Sequence, residues 1–233
     1  MDEPAVAGRI GARPRQPDTV AATPPGDHVL DVGPGRRALL YLPVDHRADQ
    51  PSPLAVMLHG AGGSAEDGLG LLRGLADEAG LILVAPKSHG ATWDLLLDSY
   101  GPDVALIDDA LAQVFDRFAV DPNHLAVGGF SDGASYALSL GGVNGDLFSH
   151  VVAFSPGFWV PGTTSGSPSF YVTHGTDDQV LPISSTSRRL VPKLERAGYD
   201  VRYHEFVGGH VVPTDLAADA VLWLLDRPGT RGG

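Results

Sequence analysis

Short unbroken apolar runs alternate along this chain with longer stretches whose apolar residues recur at helical spacing. Leu54 to Leu58, Leu81 to Ala85, Leu125 to Val127 and Val151 to Phe154 are continuous apolar runs. Runs this short, with no polar side, suit strands buried on both faces of a parallel sheet. Between them the period changes. Asp103 to Phe118 keeps Val104, Ile107, Leu111, Val114, Phe115 and Phe118 on one face, the clearest amphipathic helix of the sequence. Further helices are expected over Ala65 to Ala79, stopped by Gly80, and over Ser184 to Ala197, stopped by Gly198. A last one runs from near Pro213 to before Pro228. Phe170 to Thr173 and Asp200 to Phe206 add two strands. Ahead of Leu54, His28 to Val32 and Ala38 to Leu42 flank Gly33-Pro34-Gly35 and read as an antiparallel edge hairpin. Strands alternating with helices predict an α/β fold, a mainly parallel central sheet with helices on both faces. Functional groups then belong at the carboxyl ends of the strands.

The ends break this pattern. Met1 to about Asp27 is rich in Pro, Ala, Gly and Arg without a sustained period. It reads as a flexible or extended leader (residues 1–27), with a short strand around Val6 to Ala12. Residues 28–227 read as one domain and residues 228–233 as a disordered tail. A chain of 233 residues, 43% hydrophobic, supports one sizeable core. The net charge of −12 argues against nucleic acid or an anionic membrane as partner. No cysteine is present, which excludes disulfides, thiolate metal sites and a cysteine nucleophile. No apolar run approaches the ~20 residues of a membrane helix. The start, Met1-Asp2-Glu3, has neither a basic nor an apolar signal region, so a cytoplasmic protein is expected.

The candidate chemistry centres on Gly129-Phe130-Ser131-Asp132-Gly133, which matches the G-x-S-x-G nucleophile elbow. The apolar run from Leu125 feeds it, after a turn signal at Asp121-Pro122-Asn123, and a small apolar helical face follows it. A serine hydroxyl needs a base, and the base needs an orienting acid. On this kind of scaffold they follow in the order Ser, Asp or Glu, His. Of the later histidines, His150 and His204 fall at or within strands, and His174 precedes any suitable acid. His210 lies in a glycine-flanked loop after the last strand, where an imidazole can reach the elbow. The acid is then Asp177 or Asp178, both in the loop after the penultimate strand. An oxyanion hole draws one amide from the residue after the nucleophile, Asp132, and one from a loop after an early strand. His59-Gly60-Ala61-Gly62-Gly63 is such a loop. No His, Asp and Glu set has metal-ligand spacing, so neither metal nor cofactor is expected.

Together these four motifs, His59 to Gly63, Gly129 to Gly133, His174-Gly175-Thr176-Asp177-Asp178 and Gly208-Gly209-His210, resemble the bacterial carboxylesterase/phospholipase family. These small serine α/β-hydrolases are related to polyhydroxybutyrate-depolymerase-like esterases and acyl-protein thioesterases. The resemblance runs from about Leu39 to Leu225 and implies an α/β-hydrolase fold without a cap domain. In its H-G-x-x-D pattern the acid is the last residue, which carries over to Asp178. The oxyanion donors carry over to the amides of Ala61 and Asp132. Asp132 itself departs from the Gln or Met of many relatives. In similar enzymes the loop holding Trp93 borders the acyl groove, so Trp93 and, less directly, Trp159 are expected to line the substrate cleft. The implied activity is hydrolysis of a small-molecule carboxylic ester through an acyl-enzyme. A thioesterase, lysophospholipase or polyester depolymerase would use the same triad. A silent hydrolase fold serving as a binding protein is the rival of another class, and the intact triad order argues against it. The connection from about Ser155 to Ser169 is too short to fold a helical cap, so an open groove taking roughly two to eight acyl carbons is expected.

Overall fold

The apolar runs become the interior strands of one sheet. A computed structural model describes residues 8–17 and 23–226, so the expected tail, 228–233, and much of the expected leader lie outside the described residues. β1 (Gly26–Asp31) and β2 (Arg37–Leu42) form the expected hairpin, with Gly26 opposite Leu42 and the chain turned by Gly33 and Gly35 at positive φ. β3 (Ser52–Leu58) is followed by α1 (Ala65–Gly70), α2 (Ala76–Ala79) and β4 (Ile82–Pro86). Next come α3 (Pro102–Phe115), β5 (Val120–Phe130), α4 (Asp132–Val143) and β6 (His150–Phe154). β7 (Ser169–Gly175), α5 (Ser187–Arg196), β8 (Val201–Phe206) and α6 (Thr214–Leu225) follow as the last elements of the described residues. The strand order is β1-β2-β4-β3-β5-β6-β7-β8. β1 and β2 are antiparallel to their neighbours, and every pairing from β4 to β8 is parallel.

Both faces of the sheet are covered, which is why its strands alternate between two cores rather than between core and water. Leu54, Val56 and Leu58 of β3 join the cluster under α3, α4 and α5, with Val104, Leu111, Leu138 and Leu190. Ala55 and Met57 face the other way, onto α1, α2 and α6, with Leu69, Ala76, Ala217 and Leu224. The chain leaves β3 to one side for β4 and returns across it for β5. That reversal opens a crevice at the carboxyl ends of β3 and β5, the usual place for a ligand on such a sheet. No helix among the described residues is long and apolar enough to cross a membrane.

Three expectations are corrected. The single helix expected over Ala65 to Ala79 is two short helices joined by a 3₁₀ turn at Arg73–Leu75. A Cβ on Gly68 would sit 2.6 Å from the Met57 carbonyl oxygen, so α1 lies hard against β3, and Gly70 and Gly74 weaken the helix beyond it. The turn signal at Asp121-Pro122-Asn123 lies inside β5 as an irregularity: the register against β3 shifts between Ser52 and Leu54, and Asn123 N–H bonds the Asp121 side chain at 2.9 Å. No strand forms over residues 8–12. Side chains, not a neighbouring strand, satisfy that backbone. Asn144 receives Ile10 N–H at 2.9 Å and donates to the Gly8 carbonyl at 2.7 Å, while Asp108 receives Ala12 N–H at 2.7 Å. Ile10 is buried, and Arg9 and Arg13 both reach Asp146.

Candidate active site

Ser131 stands at the step from β5 to α4 with φ 58° and ψ −118°, a region a serine occupies only under constraint. The glycines two places either side make the step possible. A Cβ on Gly133 would lie 2.2 Å from the Leu58 carbonyl oxygen, and one on Gly129 would lie 2.5 Å from the same oxygen. The elbow is thus pressed against the end of β3, and only backbone fits between.

His210, from the loop after β8, lies with Nε2 at 2.9 Å from Ser131 Oγ. Its Nδ1 is 2.6 Å from Asp178 Oδ2. A carboxylate only accepts, so Nδ1 carries the hydrogen and Nε2 turns its lone pair to the serine hydroxyl. The Phe130 ring packs against the imidazole, centroids 4.6 Å apart. Asp178 is buried, which alone would raise its pKa, but hydrogen bonds from the Leu181 amide, His210 and the Val180 amide outweigh burial and hold the carboxyl below its ordinary value. Asp177, the other candidate, is exposed. The structure brings together Ser131, His210 and Asp178, and leaves Asp177 outside.

The loop after β3 lies over the elbow: a Cβ on Gly60 would meet Ser131 Cβ at 3.5 Å. Among the described residues, the amides of Ala61 and Asp132 have no acceptor. His59, the head of this loop, is buried and neutral. Its Nε2 accepts from Ser88 N–H at 3.1 Å, so Nδ1 carries the hydrogen and donates to the Gly60 carbonyl at 2.7 Å. Burial pushes its pKa down against the opposing pull of that carbonyl.

Trp93 does not line a cleft. It is fully buried, its Nε1–H donates to the His59 carbonyl at 2.9 Å, and its ring is sandwiched between His59 and Tyr136. A buried indole needs an acceptor, and the one it finds belongs to the glycine-rich loop. The segment after β4 therefore clamps that loop: Ser88 and Trp93 hold His59, and the Ala91 carbonyl receives Gly62 N–H at 2.6 Å. Thr92 donates to the Asp132 carboxylate at 2.6 Å, tying the same segment to the elbow. Trp159 is half-buried, edge-on to Tyr199, in a pocket of about 270 Å³ that it shares with Phe158, Arg189 and Lys193 and that no triad candidate lines.

Sequence reasoning missed two participants. Ser135 and Ser139 extend from Ser131 at four-residue spacing along α4. Ser135 Oγ donates to the Ser131 carbonyl at 3.1 Å and receives Gly157 N–H at 2.8 Å; Ser139 Oγ receives Val160 N–H at 3.0 Å. A serine at every fourth position of an otherwise apolar helix was the available signal. The loop they hold, between β6 and β7, contains no helix.

The phospholipase/carboxylesterase family model matches residues 102–220, about half the chain, and spans the elbow, both candidate acids and His210. The chain belongs to the phospholipase/carboxylesterase family. Its fold is that of the α/β-hydrolases. A probable feruloyl esterase C from Aspergillus flavus is 33% identical over 158 residues, which are 63% of this chain and 56% of that protein. The chain thus spans little more than half the length of the curated relatives it matches. Among solved structures, the Bacillus cereus carboxylesterase superposes with a TM-score of 0.60 at 19% identity, over 81% of this chain and 93% of that one. The ferulic acid esterase of Anaeromyces mucronatus, in complex with ferulic acid, gives 0.63 at 18% identity, over 91% and 96%. At these identities the likeness of this family member to them is one of fold.

Proposed function

We propose that this protein is a serine carboxylesterase in which Ser131 is the nucleophile, His210 the general base and Asp178 the orienting acid. The observation that carries the reading is the unbroken chain from Ser131 Oγ through His210 to Asp178, at 2.9 and 2.6 Å, on a strained elbow. Ser131 Oγ attacks the ester carbonyl carbon as its proton passes to His210 Nε2. The tetrahedral oxyanion is met by the Ala61 and Asp132 amides, the latter at the positive end of α4. The carbon–oxygen bond to the alcohol breaks as His210 returns the proton to that oxygen, leaving an acyl-serine. Water, deprotonated by the same nitrogen, then releases the carboxylic acid and restores Ser131.

Two features bear on the substrate. The helix-free loop between β6 and β7 supports an open groove, hence acyl chains of roughly two to eight carbons, with binding rising about 0.8 kcal/mol per buried methylene until the groove ends. The similarity to feruloyl esterases C supports a second reading, that aromatic acyl esters are also taken. Nitrophenyl esters from acetate to palmitate, run beside methyl ferulate with Ser131→Ala as control, separate the two. A maximum at or below about eight carbons, with no jump in rate at the solubility limit, is expected. Preference for palmitate, or clear interfacial activation, contradicts the open groove. Methyl ferulate hydrolysed faster than every alkanoate ester would select the aromatic reading.

A further inference from the structure

His174, near the end of β7, takes no part in the reaction just proposed, yet both of its ring nitrogens are spent. It is fully buried. Its Nε2 lies 2.8 Å from the Leu181 carbonyl, which can only accept, so Nε2 carries the hydrogen. Its Nδ1 then accepts from the Ser187 hydroxyl at 2.7 Å. The same Nε2 stands 3.2 Å from Asp178 Oδ2, the oxygen that receives His210. The other oxygen of Asp178 takes the amides of Val180 and Leu181, each at 2.8 Å. Leu181 is therefore gripped twice, by its N–H on Asp178 and by its carbonyl on His174.

We propose that His174 is a positioning residue for Asp178, a second histidine that fixes the turn holding the carboxylate and so the aim of Oδ2 at His210. The inference rests on the triad reading above. A histidine serving only to fill the core would not need Nε2 set between the carboxylate that opens this turn and the carbonyl that closes it, with Nδ1 anchored on Ser187. Neutrality is part of the arrangement. A protonated His174 would set a full charge 3.2 Å from Oδ2, competing with His210 for it, and would leave the Ser187 hydroxyl with no lone pair to meet. Burial favours the neutral ring. The ionisable groups facing it are Asp178 and His210 from the loops and, across the strand pairing, Glu205 of β8, itself held by Arg188 at 2.7 Å.

A double-mutant cycle on nitrophenyl butyrate hydrolysis tests this. His174→Leu is expected to lower kcat on the order of tenfold with KM little changed, because it disturbs the aim of the acid rather than the groove. His174→Gln, which keeps an N–H donor in reach of the Leu181 carbonyl, should recover most of that loss. In an Asp178→Asn background His174→Leu should cost nothing further, since the carboxylate it positions is gone. Equal losses in both backgrounds, or a wild-type kcat for His174→Leu, overturn the proposal while leaving the triad intact. An Asp178→Asn enzyme of wild-type kcat instead overturns the triad reading and this inference with it. Should His174→Leu fail to fold, Ser187→Ala replaces it in the cycle: it removes the hydroxyl that fixes the ring, and a several-fold loss of kcat confined to the Asp178 background is expected, with no loss overturning the proposal.

Discussion

Asp178 Oδ2 lies 2.6 Å from His210 Nδ1, while the carboxylate one residue earlier, Asp177, is exposed. The backbone makes the difference: Asp177 donates its amide to the Gly208 carbonyl, which seats the turn so that the next side chain points inward. Asp178→Asn is therefore expected to cost on the order of 10³-fold or more in kcat by favouring the wrong histidine tautomer. Asp177→Asn should stay within a few-fold of wild type, since its exposed side chain makes no hydrogen bond or ion pair among the described residues. Steady-state kinetics on nitrophenyl butyrate check the pair, and a reversed order would transfer the role to Asp177.

Trp93 holds from behind the glycine-rich loop proposed to supply an oxyanion amide. Trp93→Phe keeps the ring between His59 and Tyr136 but removes the 2.9 Å bond to the His59 carbonyl. The loop should loosen where its amides meet developing charge, so kcat should fall by about tenfold, a fraction of the cost of losing an oxyanion donor outright, with KM almost unchanged. A rise in KM at constant kcat would instead restore Trp93 to the substrate cleft.

How far the sequence could be read follows from these same residues. Local signals were sufficient where one residue's job is set by its neighbours: the glycines around Ser131 are demanded by close backbone approach, and the apolar runs by burial on two faces. Trp93 was expected at the cleft because in similar enzymes its loop borders the acyl groove, and no local signal foretells the tertiary contact with His59, 34 residues away, that gives its indole a buried partner. The helix after β3 was misread because helical period survives in the sequence across Gly70 and Gly74 while the backbone does not follow it. The segment 8–17 has no period at all, and its seat on Asn144, Asp108 and Asp146 depends on residues some hundred places distant.

That segment gives a stability prediction. Ile10 is 2% exposed within the core that includes α4. Ile10→Ala should destabilise the fold by about 2–4 kcal/mol in denaturant unfolding and leave kcat of the folded enzyme unchanged. An unaltered unfolding midpoint would mean that the segment is not seated in solution.

Acid should weaken the fold before it protonates Asp178, the proposed triad acid. Burial, reinforced by repulsion from His124, pushes the pKa of His150 from 6.5 down to about 4. Below 6.5 the unfolded chain takes up a proton that the folded one refuses, so stability is full above that pH, falls toward about 4 and levels off beneath it. The limit of this contribution is about 3 kcal/mol. His46, His59 and His174 are shifted in the same direction by burial. His150→Phe should therefore reduce the loss of unfolding free energy between neutral pH and pH 4.5. Parallel slopes for the variant and the wild type would exclude His150 as a source.

The most direct test of the central claim is intact mass after treatment with a fluorophosphonate, followed by peptide mapping. The account predicts one adduct per chain, on Ser131, formed by the wild type and abolished in Ser131→Ala, whose esterase kcat falls on the order of 10³-fold or more while its unfolding midpoint is kept. An unlabelled wild type, an adduct on another serine, or a Ser131→Ala enzyme of undiminished activity would contradict it.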